Sequence, residues 1–383
     1  MIEHNLKHIL FLPTWYPHRY DSMDGLFVRK HALAVSKFVN VTILYLHEDN
    51  LISSTEIVRQ NAEGLNEIII YYKSSKSFSH ISYKQAFMKG WDYVLQYFGL
   101  PDVTHVHVLG KTGLCAYWLK KKYNIPYVVT EHWSGFLENN FRYKGFWRKR
   151  MTELVVRNAY CIMPVSQHLA DRMITLGLKG NYQVVHNVVD DFFYSDDVEK
   201  TKSDKVRLLH VSCFDDEPKN ITGLLNVIAK LRQKRKDFTL TLVGAGRNLQ
   251  KCKALSERLL ISDICTFTGE MTPHEVAQLM KQHDVFVMFS NYENAPVVLS
   301  EALAVGIPVV ATKVGGIPEM VSANEGILVE PKQENNLLSA LNTMCDNYLL
   351  YDKNEIKKQG LKYSFDLVGK QLDKIYTASA NLG

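Results

Sequence analysis

Thirteen short apolar runs alternate with longer amphipathic stretches along this chain, and that alternation limits its fold more than any other feature. The runs are Ile9–Leu12, Val41–Leu46, Ile68–Tyr72, Val103–Val108, Tyr127–Thr130, Cys161–Val165 and Val184–His186, followed by Arg207–Val211, Thr239–Val243, Thr266–Thr268, Val285–Phe289, Ile307–Ala311 and Ile327–Val329. Stretches of helical period fill the intervals, among them Phe27–Phe38, Ile221–Gln233 and His274–Lys281. Apolar runs of this length read as strands buried on both faces, and strand–helix alternation builds parallel sheets from βαβ units. The pattern breaks at residues 190–205, where charges crowd and periodicity is lost. The domain boundary is expected there, with residues 1–190 forming one domain and 191–362 the other. At 383 residues the chain is too long for one ordinary domain and sufficient for two.

Composition removes several classes. With 46% hydrophobic and 22% charged residues the chain is expected to be globular and soluble. No stretch approaches the 18 or more consecutive apolar residues of a membrane helix. Residues 1–13 carry Glu3, His4, Asn5, Lys7 and His8 before a short apolar run, which does not read as a signal peptide. The six cysteines form no Cys-x-x-Cys pair and are expected as reduced thiols in a cytoplasmic protein. Residues 1–190 hold 22 Lys and Arg against 15 Asp and Glu, whereas 191–383 hold 23 against 25, so the first half is expected to meet something anionic. The densest basic segment is Phe141-Arg-Tyr-Lys-Gly-Phe-Trp-Arg-Lys-Arg150. It suits an anionic membrane surface or a lipid-phosphate acceptor, and equally a solvated helix whose aromatics pack inward. No nucleic-acid-binding motif accompanies it.

Residues 293–319 carry the chemistry. They read Glu293-Asn-Ala-Pro-Val-Val-Leu-Ser-Glu301, then Ala-Leu-Ala-Val-Gly306-Ile-Pro-Val-Val-Ala-Thr, then Gly315-Gly316-Ile-Pro-Glu319. Turn formers at Ser290, Asn291, Asn294 and Pro296 place Glu293 in a loop. Pro296 suits a helix start, Val297–Val305 the helix, and Gly306 its stop. Free backbone N–H groups at Val297, Val298 and Leu299 are expected to attract an anion such as a diphosphate. Glu301, one turn further in, is placed to accept hydrogen bonds from ribose hydroxyls, and Glu293 from hydroxyls of an attached sugar.

Two glutamates eight apart mean nothing alone, but the whole block resembles the signature of the family-four retaining glycosyltransferases, also called the group-one glycosyltransferase domain. The resemblance implies an α/β fold of two Rossmann-like domains facing across a cleft (GT-B), with the last helix, around Tyr363–Ala378, crossing back onto the first domain. It implies a nucleotide-diphosphate sugar as donor, a glycan, lipid-linked or small-molecule acceptor, and neither a cofactor nor a metal. No Asp-x-Asp occurs, and Asp215 and Asp216 read as turn residues.

Other stretches fit that resemblance. Lys219, in Val211-Ser-Cys-Phe-Asp-Asp-Glu-Pro-Lys219-Asn220, matches the lysine that neutralises the departing diphosphate; a solvated helix-start lysine is the alternative. Cys213 stands where family members usually have Arg. Gly244 in Val243-Gly-Ala-Gly246 matches a Gly-x-Gly turn, which alone is weak. Gly269 and Glu270 follow a strand where the family meets the nucleotide base. Gly25 matches a loop glycine near the ligand, or is a plain turn residue, and His18, Arg19 and Arg29 nearby are candidates to meet an acceptor. His132 in Thr130-Glu-His-Trp matches a histidine touching the transferred sugar, with a structural histidine as the rival. His105 and His107 share a strand face with no third metal ligand evident, and Asn187 is expected to shape the hinge.

The reading is a retaining, metal-independent glycosyltransferase with catalytic Glu293, Lys219 and His132, acting in cell-surface polysaccharide biosynthesis at the cytoplasmic face of a membrane. A non-catalytic sugar-nucleotide-binding relative is the alternative, and a nucleotide-sugar 2-epimerase a more distant one.

Overall fold

The computed structural model describes residues 6–74, 79–138, 141–196 and 198–381. Glu3, His4 and Asn5, used above against a signal peptide, lie outside the described residues, as do Asp197 of the charged break and the last two residues of the chain. The chain forms two compact units, residues 1–136, 141–188 and 365–383 in the first, and residues 189–364 with the short segment 137–140 in the second.

The first unit holds seven strands: β1 (His8–Pro13), β2 (Asn40–Glu48), β3 (Glu56–Ala62), β4 (Leu65–Tyr72), β5 (Val103–His107), β6 (Tyr127–Glu131) and β7 (Cys161–Pro164). Their order is β3-β4-β2-β1-β5-β6-β7, parallel throughout except for the β3–β4 hairpin. The sequence pattern missed β3, because it is an edge strand whose residues are mostly exposed and lack an apolar face. It also placed a strand at Val184–His186, where there is none: only Tyr182 bridges to Ile162, and Val185 is buried in irregular chain whose N–H donates to the Pro164 carbonyl. The C-terminal helix, Phe365–Ala380, belongs to this unit and packs on helix Leu26–Ser36. Its Tyr376 hydroxyl lies 2.6 Å from His105 Nδ1, and Gln371 donates to the Val184 carbonyl at 2.8 Å.

The second unit holds β8 (Val206–Val211), β9 (Phe238–Val243), β10 (Cys265–Gly269), β11 (Val285–Met288), β12 (Val309–Thr312) and β13 (Gly326–Val329), all parallel, in the order β10-β9-β8-β11-β12-β13. Because successive strand residues face opposite sides, Leu208, Val285 and Val287 feed one core and Leu209, Phe286 and Met288 the other. Both faces are therefore apolar, which is why these strands read as continuous hydrophobic runs.

In each sheet the strand order reverses beside the first strand of the unit, between β1 and β5 and between β8 and β11. Loops leaving the carboxyl ends of strands at such a reversal diverge and leave room for a ligand. Those loops carry most of the residues singled out above.

Candidate active site

In the second unit, β8 leads into residues 212–215 and a short helix, Asp216–Lys219. Asp215 caps that helix, and Asp216 accepts the N–H and hydroxyl of Thr222 at 2.8 and 2.6 Å. Asp215 sits in the turn, as expected, whereas Asp216 opens the short helix. The geometry delivers Lys219 to Glu293, in the loop after β11: Nζ and Oε1 are 2.5 Å apart. Ser290 donates to the same carboxylate oxygen at 2.8 Å. Asn291 ties the two loops together, donating its N–H to the Pro218 carbonyl at 2.7 Å and its amide to the Glu217 carbonyl at 2.8 Å. Burial alone lowers the pKa of Lys219, but the charge and hydrogen bond of Glu293 outweigh it and leave the ammonium above its ordinary value. The ammonium is therefore kept charged beside the carboxylate.

The helix after Glu293 spans Val297–Val305, with Pro296 as its N-cap and Gly306 ending it in the left-handed region. Val297 and Val298 direct N–H groups that make no hydrogen bond among the described residues. Leu299 departs from expectation: it is fully buried and its N–H donates to the Pro296 carbonyl at 3.1 Å, closing the first turn. Glu301 is buried one turn along. The glycine pair is explained by contact. A Cβ on Gly315, whose φ is +54°, would sit 1.7 Å from the Glu293 carbonyl oxygen, and Gly316 N–H donates to the Asn294 carbonyl at 2.8 Å. The last part of the block thus braces the backbone of its first carboxylate.

The loop after β9 folds onto the same region. A Cβ on Gly244 would fall 1.9 Å from the Ser212 carbonyl oxygen, and Gly244 N–H donates to the Gly269 carbonyl at 2.8 Å. Glu270, next in sequence, is exposed and pairs with no described residue. Arg247 was not foreseen. It follows this loop, pairs with Asp215 at 2.6 Å and Glu217 at 3.7 Å, and so joins the turn that carries Lys219. The signal was an arginine directly after the Gly-x-Gly turn. Cys213, on the loop after β8, is an exposed free thiol.

In the first unit, Gly25 starts helix Leu26–Ser36 and lies against the Trp15 backbone, and the helix carries Phe27 onto the His132 ring at 4.4 Å between centroids. Arg19 and Arg29 are both engaged with carboxylates of their own unit. Arg19 already holds Asp49 and Glu56 at 2.6 and 2.8 Å, and Arg29 holds Glu63 and buried Glu67 at 2.6 and 2.9 Å. Each guanidinium already has two carboxylates.

His132 sits half-buried at the end of β6, 3.4 Å from His107 Nδ1 and hydrogen-bonded to Asn187. Asn187 thus meets the histidine directly. His31, from the first helix, donates its Nε2–H to the His186 carbonyl at 2.8 Å. The third ligand not evident in sequence is here: one ring nitrogen each of His31, His107 and His132 lie within 4.8 Å of one another, a group able to hold a metal ion. His105 stands apart from it, bonded to Tyr376 and to Thr130 at 2.7 Å. Burial lowers the pKa of all four rings, and that of His31 falls to about 4, so all are neutral near pH 7.

Glu131, beside His132, was missed as well. Its buried carboxylate accepts the N–H groups of Leu109, His132 and Trp133 at 2.9, 2.8 and 2.7 Å, joining the loops after β5 and β6. Burial pushes its pKa up to about 7 against the pull of those three donors.

Two parallel α/β units with candidate ligand loops at the strand reversal of each sheet are the architecture of the GT-B fold class. The chain belongs to the family-four, group-one glycosyltransferases: residues 35–191 match the description Glycosyltransferase Family 4, and residues 194–362 match Glycosyl transferases group 1. An uncharacterized glycosyltransferase of Methanocaldococcus jannaschii is 25% identical over 317 residues, covering 79% of this chain and 84% of that one. Sucrose-phosphate synthase from Thermosynechococcus elongatus superposes with a TM-score of 0.78 at 17% identity, covering 98% of this chain and all of that one. The HepE protein of Anabaena, in complex with UDP, gives 0.74 at 16% identity, covering 97% of this chain and all of that one.

Proposed function

We propose that this glycosyltransferase moves a sugar from a nucleoside-diphosphate sugar to a glycan or lipid-linked acceptor with retention at the anomeric carbon, without a metal ion, during cell-surface polysaccharide synthesis at the cytoplasmic face of a membrane. The observation that carries the reading is the part-buried Lys219–Glu293 pair, whose carboxylate lies four residues before Val297, the first of the two free amides. The bond between the anomeric carbon and the β-phosphate oxygen breaks as the acceptor oxygen bonds to the same face, and the acceptor proton passes to the departing phosphate. Charge grows on that phosphate, and Lys219 with the two amides offers fixed positive partners to it. A substrate phosphate competes with Glu293 for the ammonium, freeing the carboxylate to take sugar hydroxyls. Arg247 supplies the second cation that Cys213 does not. Glu301 holds the ribose, Gly244, Gly269 and Glu270 border the base and phosphates, Gly25 lets the backbone approach the ligand, and neutral His132 positions the sugar. The Anabaena complex favours UDP as the first nucleotide to try.

Cys213 also supports a second reading, a relative that binds sugar nucleotide and does not transfer it. A thermal-shift screen with UDP, GDP, ADP and their sugar conjugates, without added metal, tests the first step, since a ligand of the folded state raises Tm with concentration. A shift with one nucleotide, larger with one conjugate, followed by transfer from that conjugate, is the expected result. No shift with any of them removes the donor site, and a shift without turnover selects the second reading.

A further inference from the structure

We infer that the first unit contains a binding pocket for the aliphatic chain of a phosphorylated amphiphile, which names the acceptor class and rests on the transferase reading. A cavity of about 740 Å³ opens there, within the ~300–1,000 Å³ typical of small-molecule sites. Its walls come from the loop after β1, the loop after β5, the turn after β6 and helix Phe146–Asn158, all within this unit. Trp15, Leu109, Leu114, Trp133, Phe136 and Met151 give it an apolar lining.

The wall is mainly apolar: besides Lys111 and Arg148 its polar side chains, the tryptophans aside, are Thr14, His80, Tyr143 and Thr152, whereas the many hydroxyls of a bare saccharide each need a partner once desolvated. Thr14 is already committed, donating to the Val108 carbonyl at 3.0 Å and lying 3.1 Å from the Thr112 hydroxyl. An alkyl chain asks for nothing from such a wall beyond burial. The remaining lining charges are positive. Lys111 and Arg148 are exposed, and neither pairs with a carboxylate among the described residues; Arg148 lies over the Trp133 ring at 5.5 Å and Lys111 over Tyr83 at 5.0 Å. Two unneutralised cations beside an apolar cavity are complementary to one anionic head on one chain. The helix that supplies Arg148 also exposes Phe146 and Trp147, at 64% and 72%, beside Lys149 and Arg150. The aromatics of the basic segment thus do not all pack inward. Trp147 and Arg148 both line the cavity, so this surface is continuous with it.

The test uses the full chain and n-decyl phosphate below its micelle concentration, followed by calorimetry. The expected result is saturable binding of one molecule per chain, at least tenfold tighter than decyl maltoside or inorganic phosphate. Leu114→Trp, which fills the cavity, and the surface pair Lys111→Glu/Arg148→Glu should each weaken it about tenfold, a change of about 1.4 kcal/mol in the second case as in the first. If Leu114→Trp does not fold, the exposed pair carries the test. Binding of several molecules per chain, equal binding of the charge-reversed variant, or adsorption seen only on anionic vesicles overturns the proposal. The nucleotide-induced Tm shift is read in parallel: decyl phosphate binding by a protein that answers to no nucleotide refutes the reading of function and not this pocket.

Discussion

The two units prepare their loops in opposite ways. In the second unit burial is met with charge: the Lys219 ammonium is held 2.5 Å from the Glu293 carboxylate, which keeps it above its ordinary pKa. Around the ends of β5 and β6 in the first unit burial is met with neutrality: His31, His105, His107 and His132 lie against one another as uncharged rings. A fixed charge pair suits a site whose ligand brings a charge to exchange for one of the partners. Neutral rings suit a site for an uncharged sugar, where an imidazolium would oppose positive charge developing at the anomeric carbon.

The contrast is broken most directly at Lys219. Lys219→Ala should lower kcat by about 10²–10³ if the ammonium stabilises the leaving group. It also strands Glu293, and breaking a fully buried pair costs about 3–5 kcal/mol, less here because the Lys219 side chain is 17% exposed. Lys219→Met with Glu293→Gln separates the two effects. That double variant should regain most of the stability, read by urea unfolding, and none of the turnover. Recovered turnover would show that the pair is structural.

His132→Ala tests the other side and should act more weakly. It should lower kcat/KM by about tenfold to a hundredfold, as expected when a positioning contact is lost. The Tm rise given by the nucleotide alone should stay, and only the extra rise given by the sugar conjugate should shrink. Loss of the nucleotide's own shift would mean that His132 holds the unit together rather than the sugar.

Legibility in sequence follows the same division. The second unit's site comes from one block and one loop, and local chemistry sets most of it: turn formers before Glu293, Pro296 at the cap, Gly306 at the stop. Leu299 could not be read correctly, because which amide closes the first turn depends on the Pro296 carbonyl. The histidine group comes from three separate elements, the first helix, β5 and the end of β6, and no spacing encodes that meeting. Arg19 and Arg29 mislead for a related reason: their partners Asp49, Glu56, Glu63 and Glu67 are 30 or more residues away in sequence. The strands were legible wherever both faces are buried, and β3 was not, because an exposed edge strand needs no apolar pattern.

Arg247 gives a third test, of about one order of magnitude. Arg247→Ala should weaken nucleotide binding about tenfold, or 1.4 kcal/mol. Cys213→Arg in that background should restore it, since the new guanidinium arises two residues before Asp215, the carboxylate that Arg247 pairs with. Unchanged binding in Arg247→Ala would leave the diphosphate to Lys219 and the helix amides.

The smallest effect, and the one that reads the neutral rings themselves, is on stability against pH. His31 has its pKa lowered to about 4 by burial, from an ordinary value of 6.5. Between those values the unfolded chain binds the proton and the folded chain does not, so the contribution of His31 is complete above pH 6.5 and is lost as pH falls toward 4. The slope is at most about 1.4 kcal/mol per pH unit for one such group. Glu131 works against it: with its pKa raised to about 7, its contribution is complete below its ordinary 4.5 and is lost as pH rises through 7. Urea midpoints at pH 7, 6 and 5 should therefore fall with pH less steeply than the histidines alone require, and His31→Gln should flatten the fall while Glu131→Gln steepens it. The same fall in His31→Gln as in the parent would mean that the ring is charged in the folded state, and the contrast between the two units would be lost.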